Sequence, residues 1–218
     1  MAQRLIVEGK DAIVLSNILM KRNLQPPKDY EVPLKYKNEF VKEAGSISKV
    51  ETVLVEELQS TDVTHIGIIV DANNVGASAR LDSIKSIIEK TLDEKLPSEI
   101  ILNSSGITFQ ILNLSIGIWI MPDNQNQGYL EHFVCGLIPE ENPVWKFTNE
   151  KVDELMSSTF CEFAEVKKQK ALLHTYLAWK KSPGLPMGTA VEANYLNAAS
   201  TSAGAFVSWF QQTFDFED

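Results

Sequence analysis

Ile66-Gly67-Ile68-Ile69-Val70-Asp71 is a nearly unbroken apolar run, rich in β-branched residues, that ends on an acid. Two further stretches repeat the design: residues 5–7 lead to Glu8, and residues 116–121 stop just before Asp123. Apolar strands with little polar alternation are covered on both faces, as in parallel sheets, and ligands of open parallel sheets gather outside the carboxyl ends of the strands. The three acids are therefore expected to face one crevice. Carboxylates held close together repel and resist ionising unless a cation, a proton or a basic group neutralises them, and a divalent metal ion is the natural partner. Strand-end Asp and Glu also cap helices and fix turns, so each acid has a structural reading beside the functional one.

Towards the amino terminus, a strand over residues 4–7 passes through Glu8, Gly9 and Lys10 into a helix opening at Asp11, an acid well placed at a helix start. A charged, Pro-containing stretch (residues 25–37) and an extended segment (residues 40–43) lead to a helix with Ile47, Val50, Leu54 and Leu58 on one face. Beyond Asp71, a loop opens a third helix with Leu81, Ile84, Ile88 and Leu92 at the same period. This β-α-β-α-β-α order predicts an α/β fold, a mainly parallel sheet flanked by helices. Residues 97–115 are polar and turn-rich, with a short hairpin expected around residues 108–112.

After the strand at residues 116–121 comes Pro122-Asp123-Asn124-Gln125-Asn126-Gln127-Gly128, a loop of four amides and a carboxylate suited to bind water, metal-bound water or phosphate. A helix from Tyr129 follows, with Leu130, Phe133, Val134 and Leu137 on its apolar side and Glu131 placed to join the acids. The remainder reads as helices over residues 152–163 and 167–179, the breaker Ser182-Pro183-Gly184-Leu185-Pro186, and a final helix over residues 203–214. In that last helix Phe206, Phe210 and Phe214 recur every four residues, the pattern of a core stripe rather than a base-stacking platform. The expected organisation is an α/β core over residues 1–145 with a helical carboxy-terminal extension, residues 146–218, packed on it.

The 218 residues are 44% hydrophobic, enough for a substantial core. Net charge is −9, which excludes a uniformly basic nucleic-acid surface, but it is unevenly spread. Residues 1–50 carry +3, residues 51–145 carry −10, residues 146–181 carry +2 and residues 182–218 carry −4. Any nucleic-acid surface is thus built from local lysine clusters. No apolar stretch approaches the roughly 20 residues of a membrane span, and the opening Met-Ala-Gln-Arg carries no signal-peptide pattern, so a cytoplasmic location and no membrane contact are expected.

Cys135 and Cys161, set in apolar helical surroundings, read as reduced core thiols. None of His65, His132 and His174 has a second ligand at zinc spacing, and His174, between Leu173 and Tyr176, reads as a packed or hydrogen-bonded structural histidine. There is no Gly-x-Ser-x-Gly elbow, P-loop or dinucleotide fingerprint.

Val7-Glu8-Gly9-Lys10-Asp11 and Val70-Asp71-Ala72-Asn73 resemble the two signature motifs of the TOPRIM fold, shared by topoisomerases, primases and overcoming-lysogenization-defect nucleases. Ile118-Trp119-Ile120-Met121-Pro122-Asp123-Asn124, His174 with Tyr176-Leu177-Ala178-Trp179, and Pro183-Gly184-Leu185-Pro186-Met187-Gly188 resemble a bacterial family, of domain-of-unknown-function 3226 type, with a TOPRIM-like core. That second resemblance spans nearly the whole chain.

The resemblance implies that Glu8 serves as general acid or base and that Asp71 holds Mg²⁺ (or Mn²⁺), with Asn73 standing where the fold's second aspartate is expected. An amide oxygen still coordinates a hard cation but adds no charge, leaving Asp123 or Glu131 to compensate. His132 likewise stands where related sequences lead one to expect an acid. Two readings follow. One is a Mg²⁺-dependent nuclease acting on DNA or RNA, with metal ligands drawn from Glu8, Asp71, Asn73, Asp123 and Glu131, and with Lys10 pairing a phosphate or remaining a solvated loop lysine. The other is a catalytically weak TOPRIM-like interaction module working with a partner ATPase in phage defence, an analogy from the overcoming-lysogenization-defect proteins. The oligomeric state stays open, a homodimer included.

Overall fold

The computed structural model describes residues 2–9, 12–22 and 40–214; Lys10, Asp11 and the stretch at residues 25–37 lie outside the described residues. The chain runs β1 (Ala2–Val7), α1 (Ala12–Lys21), β2 (Val41–Glu43), α2 (Ile47–Leu58), β3 (Val63–Asp71), α3 (Ala77–Leu92), β4 (Ile107–Ile111), β5 (Leu114–Met121), α4 (Leu130–Cys135), α5 (Pro143–Met156), α6 (Lys168–Ala178), α7 (Met187–Glu192) and α8 (Thr201–Phe214). Five strands form one sheet in the order β2-β1-β3-β5-β4. All pairs are parallel except β4 with β5, a hairpin turned at Leu112 and Asn113. The fold is α/β, as the alternation of elements predicts.

Strand side chains alternate between two buried faces. Leu5, Val7, Ile69, Trp119 and Met121 join α1, α4, α6, α7 and α8 in one core, while Ile6, Ile66, Ile68, Val70, Ile116, Ile118 and Ile120 join α2 and α3 in the other. Cover on both faces is why the strand sequences show so little polar alternation. On α2 and α3 the predicted periodic residues Val50, Leu54, Leu58, Leu81, Ile84 and Ile88 are buried.

The seat of α8 is set by two glycines. Gly67 of β3 and Gly117 of β5 are direct cross-strand partners, and both point towards α8. A Cβ on Gly67 would stand 2.6 Å from the Phe214 ring, and one on Gly117 would collide with the Thr213 hydroxyl. Their missing side chains form a shallow trough that lets the helix approach the sheet. Phe206, Phe210 and Phe214 are fully buried there, beside Trp209, whose Nε1 donates to the Ile107 carbonyl at 3.2 Å. The aromatic stripe is core, as its spacing predicts.

Three local expectations need correction. The helix expected over residues 152–163 lies earlier, at Pro143–Met156, because Asn142 caps it through its side-chain oxygen to the amides of Val144 and Trp145 and Pro143 occupies the first turn. Cys161 therefore sits after that helix in a half-exposed turn, while Cys135 is buried. His174 is exposed on α6, since Leu173, Tyr176 and Leu177 are the residues that face the core.

Gly117→Val should force the α8 seat apart and lower stability by roughly 1–3 kcal/mol, the usual cost of overpacking. A thermal melt reads this as a Tm several degrees lower; an unchanged Tm would mean that α8 does not rest on the glycine pair.

Candidate site at the carboxyl edge of the sheet

β1 and β3 are adjacent and parallel, so both deliver their terminal acids to the same edge. Glu8 stays in the ladder, its amide donating to the Ile69 carbonyl at 3.1 Å and its own carbonyl accepting from Gly45 at 2.7 Å. Its side chain reaches across to β3, where Oε2 accepts the Asp71 amide at 3.0 Å. Asp71 repeats the move: its Oδ1 accepts the amide of Leu130, the first residue of α4, at 3.1 Å, and its carbonyl accepts from Arg80 Nε at 3.0 Å. Hydrogen bonds to ionised oxygens are stronger than neutral ones, so these contacts orient both side chains and tie β1, β3, α3 and α4 together.

The other predicted members are placed differently. Asn73, at φ +49°, exchanges two backbone hydrogen bonds with Gly128 (2.7 and 3.2 Å), pinning the loop after β3 to the loop after β5. Asp123 folds onto its own turn: Oδ1 accepts the amides of Gln125 at 3.1 Å and Asn126 at 2.8 Å, and Oδ2 accepts the Asn126 side chain at 2.6 Å. Partial burial works against the Asp123 charge, but the donors from Asn126 and Gln125 outweigh it and hold the carboxyl below its ordinary value. Glu131 Oε1 lies 3.7 Å from Lys170 Nζ on α6. Among the described residues, no three His, Cys, Asp or Glu side chains group closely enough to form a metal cluster.

The amides of the Asp123 loop also serve the loop itself. Asn124 is fully buried and its Oδ1 accepts the Ile120 amide at 2.7 Å, plugging the end of β5, while Gln127 Nε2 donates to the Asn74 carbonyl at 2.9 Å. Beside this loop lies a cleft of about 310 Å³ lined by Asn74, Gln127, Tyr129, His132 and the Glu165–Gln169 approach to α6. His132 Nδ1 accepts the Tyr129 amide at 3.3 Å, and the Tyr129 hydroxyl donates to the Val166 carbonyl. Burial lowers the His132 pKa despite the nearby Glu131 and Asp123 charges; burial, with those of Glu131 and other anions, raises that of Tyr129. Burial also pushes the Cys135 thiol up to about 12, which removes it as a nucleophile. The sequence marks a helix from residue 167, but nothing in it shows that Glu165–Gln169 stands against the loop after β5, a contact between segments about forty residues apart.

The fold is α/β, and at this edge a glutamate and an aspartate at adjacent strand ends are joined by a side-chain to main-chain hydrogen bond. The chain belongs to the family described as Protein of unknown function (DUF3226), whose model matches residues 2–215. No curated protein and no solved structure matches it. Among the described residues, no helix is long and apolar enough to cross a membrane.

Asp123 supplies a pH-dependent contribution to stability. Its folded pKa lies below the ordinary 3.8, so the contribution is complete above that value and is lost as pH falls from 3.8 through the folded pKa. Asp123→Ala should melt below wild type at neutral pH, with the gap narrowing as acid is added beyond that point; a gap independent of pH would contradict the turn's dependence on charge.

Proposed function

We propose that this chain is a TOPRIM-like domain that processes nucleic-acid phosphodiesters with Mg²⁺ or Mn²⁺ held at Glu8 and Asp71. The observation that carries this reading is the Glu8 Oε2 to Asp71 amide contact at 3.0 Å, which couples the two signature positions across adjacent strands. Mg²⁺ is commonly held by one or two carboxylates with waters and substrate phosphates completing the shell, and the donor chemistry of this pair suits that mode. A divalent ion bound there would polarise the scissile phosphate and offset the charge on the leaving oxygen. In this reading Glu8, whose Oε2 accepts the Asp71 amide, serves as general acid or base at one end of the displacement, taking the proton of the attacking water or giving one to the leaving oxygen. Leu130 and Arg80 hold the Asp71 side chain and carbonyl in register with α4 and α3.

A second reading, an interaction module with a partner such as an ATPase in phage defence, is favoured by a different observation. Asp123 spends both oxygens on its own turn, Glu131 lies against Lys170, and Asn73 contributes no charge, so the donor set narrows to two acids.

Purified protein incubated with plasmid and single-stranded DNA or RNA in Mg²⁺ or Mn²⁺ should cut, and Glu8→Gln should slow cutting by about 100-fold or more, the usual worth of a general acid or base. Equal cutting by wild type and mutant would remove Glu8 from the chemistry. No cutting, no calorimetric Mn²⁺ binding and a co-purifying partner would select the second reading.

A further inference from the structure

Between Val166 and Val191 the chain has five lysines and no acidic residue, inside a protein of net charge −9. Lys167, just ahead of α6, and Lys170 and His174 on it recur at helical spacing and are exposed, and Lys181 follows just past the end of the helix, also exposed. Beside that end lie two large aromatic rings left in solvent. Phe147 of α5 is 48% exposed and Trp179 is 42% exposed, with ring centroids 5.0 Å apart. Lys151 Nζ stands 5.7 Å from the Phe147 ring, a single cation beside the pair.

We propose that a single-stranded nucleic acid runs along α6 and turns around its carboxy-terminal end, its phosphates on Lys167, Lys170 and Lys181 and a base stacked on the Phe147–Trp179 pair. Charge complementarity selects a polyanion, and exposed rings among cations select one that carries bases, because stacking rewards any nucleobase irrespective of sequence. Three acids beside this surface pair with its lysines: Glu131 lies 3.7 Å from Lys170, Asp153 2.7 Å from Lys168, and Glu154 2.5 Å from Lys151; Glu165 and Glu150 add negative charge near Lys168 and Lys151. The track also leads somewhere. Its Lys170 end adjoins Glu131 on α4, the helix whose first amide is held by Asp71. The inference deepens the nucleic-acid reading above by giving the strand its path, and rests on it for the identity of the polymer.

The test is fluorescence anisotropy of a labelled oligothymidine with the full chain in EDTA, so that binding is read without any metal-dependent step. Wild type should bind with strong salt dependence. Lys167→Ala/Lys170→Ala/Lys181→Ala should flatten the slope of log K against log salt by about 2, three phosphate contacts at about 0.7 each for a single strand. Trp179→Ala should weaken binding about 5- to 150-fold, while Trp179→Tyr, which keeps a ring, should retain most of the affinity. Circular dichroism melts identify any variant that fails to fold, and the lysine and tyrosine variants decide the matter independently of Trp179→Ala. Wild type that ignores the oligonucleotide, variants that bind it as wild type does, or polyglutamate that competes equally well with or without Trp179 would each overturn the inference. Binding in EDTA without cutting in Mg²⁺ would retire the catalytic reading alone; cutting with unaffected α6 variants would retire this path alone.

Discussion

A parallel sheet covered on both faces leaves only its strand-end edges to meet solvent, and that constraint organises this molecule. Its buried strand residues divide between two cores, and helices close over each face. The closure leaves no room for a side chain where α8 rests on Gly67 and Gly117, since a Cβ at either position would run into Phe214 or Thr213. Polar chemistry is thereby driven outward, to the carboxyl ends of β1, β3 and β5. Glu8, Asp71 and Asp123 sit there, while Asn124 of the same loop turns inward to close the end of β5.

At that edge the same chemical group does two kinds of work. Glu8 and Asp71 each lend an oxygen to a neighbouring backbone amide, which fixes the carboxylates and joins elements distant in sequence. Asp123 makes the same kind of bond, but to amides two and three residues along, so it closes a local turn. The difference between a candidate site and a structural turn is therefore one of reach. A short acid followed by Asn and Gln finds partners in its own loop, whereas an acid at the end of a central strand finds them on the next strand or helix.

The sequence made the principal strands legible because continuous β-branched runs and helical periods of three and four have few alternative readings. It also marked Glu8 and Asp71, since strand termination and acid coincide at both. It hid what depends on local competition. The capping role of Asn142 and the Pro143 start of α5 rest on an Asn-Pro pair, a composition that suits a turn as well as a helix start. His174 looked like a core residue between Leu173 and Tyr176, yet helical geometry turns it outward while its neighbours turn in. The fate of Asp123 and of the loop amides was beyond reach, because an Asx-type turn and an open ligand loop share one composition.

Crystals soaked in Mn²⁺ and measured for anomalous scattering test the proposal that Glu8 and Asp71, linked by the Glu8 side chain to the Asp71 amide, form a divalent-cation site. The account predicts an anomalous peak at coordination distance, about 2.1 Å, from an oxygen of each of these two side chains. A peak only at Asp123 or Glu131, or none at the β1–β3 edge, would contradict it.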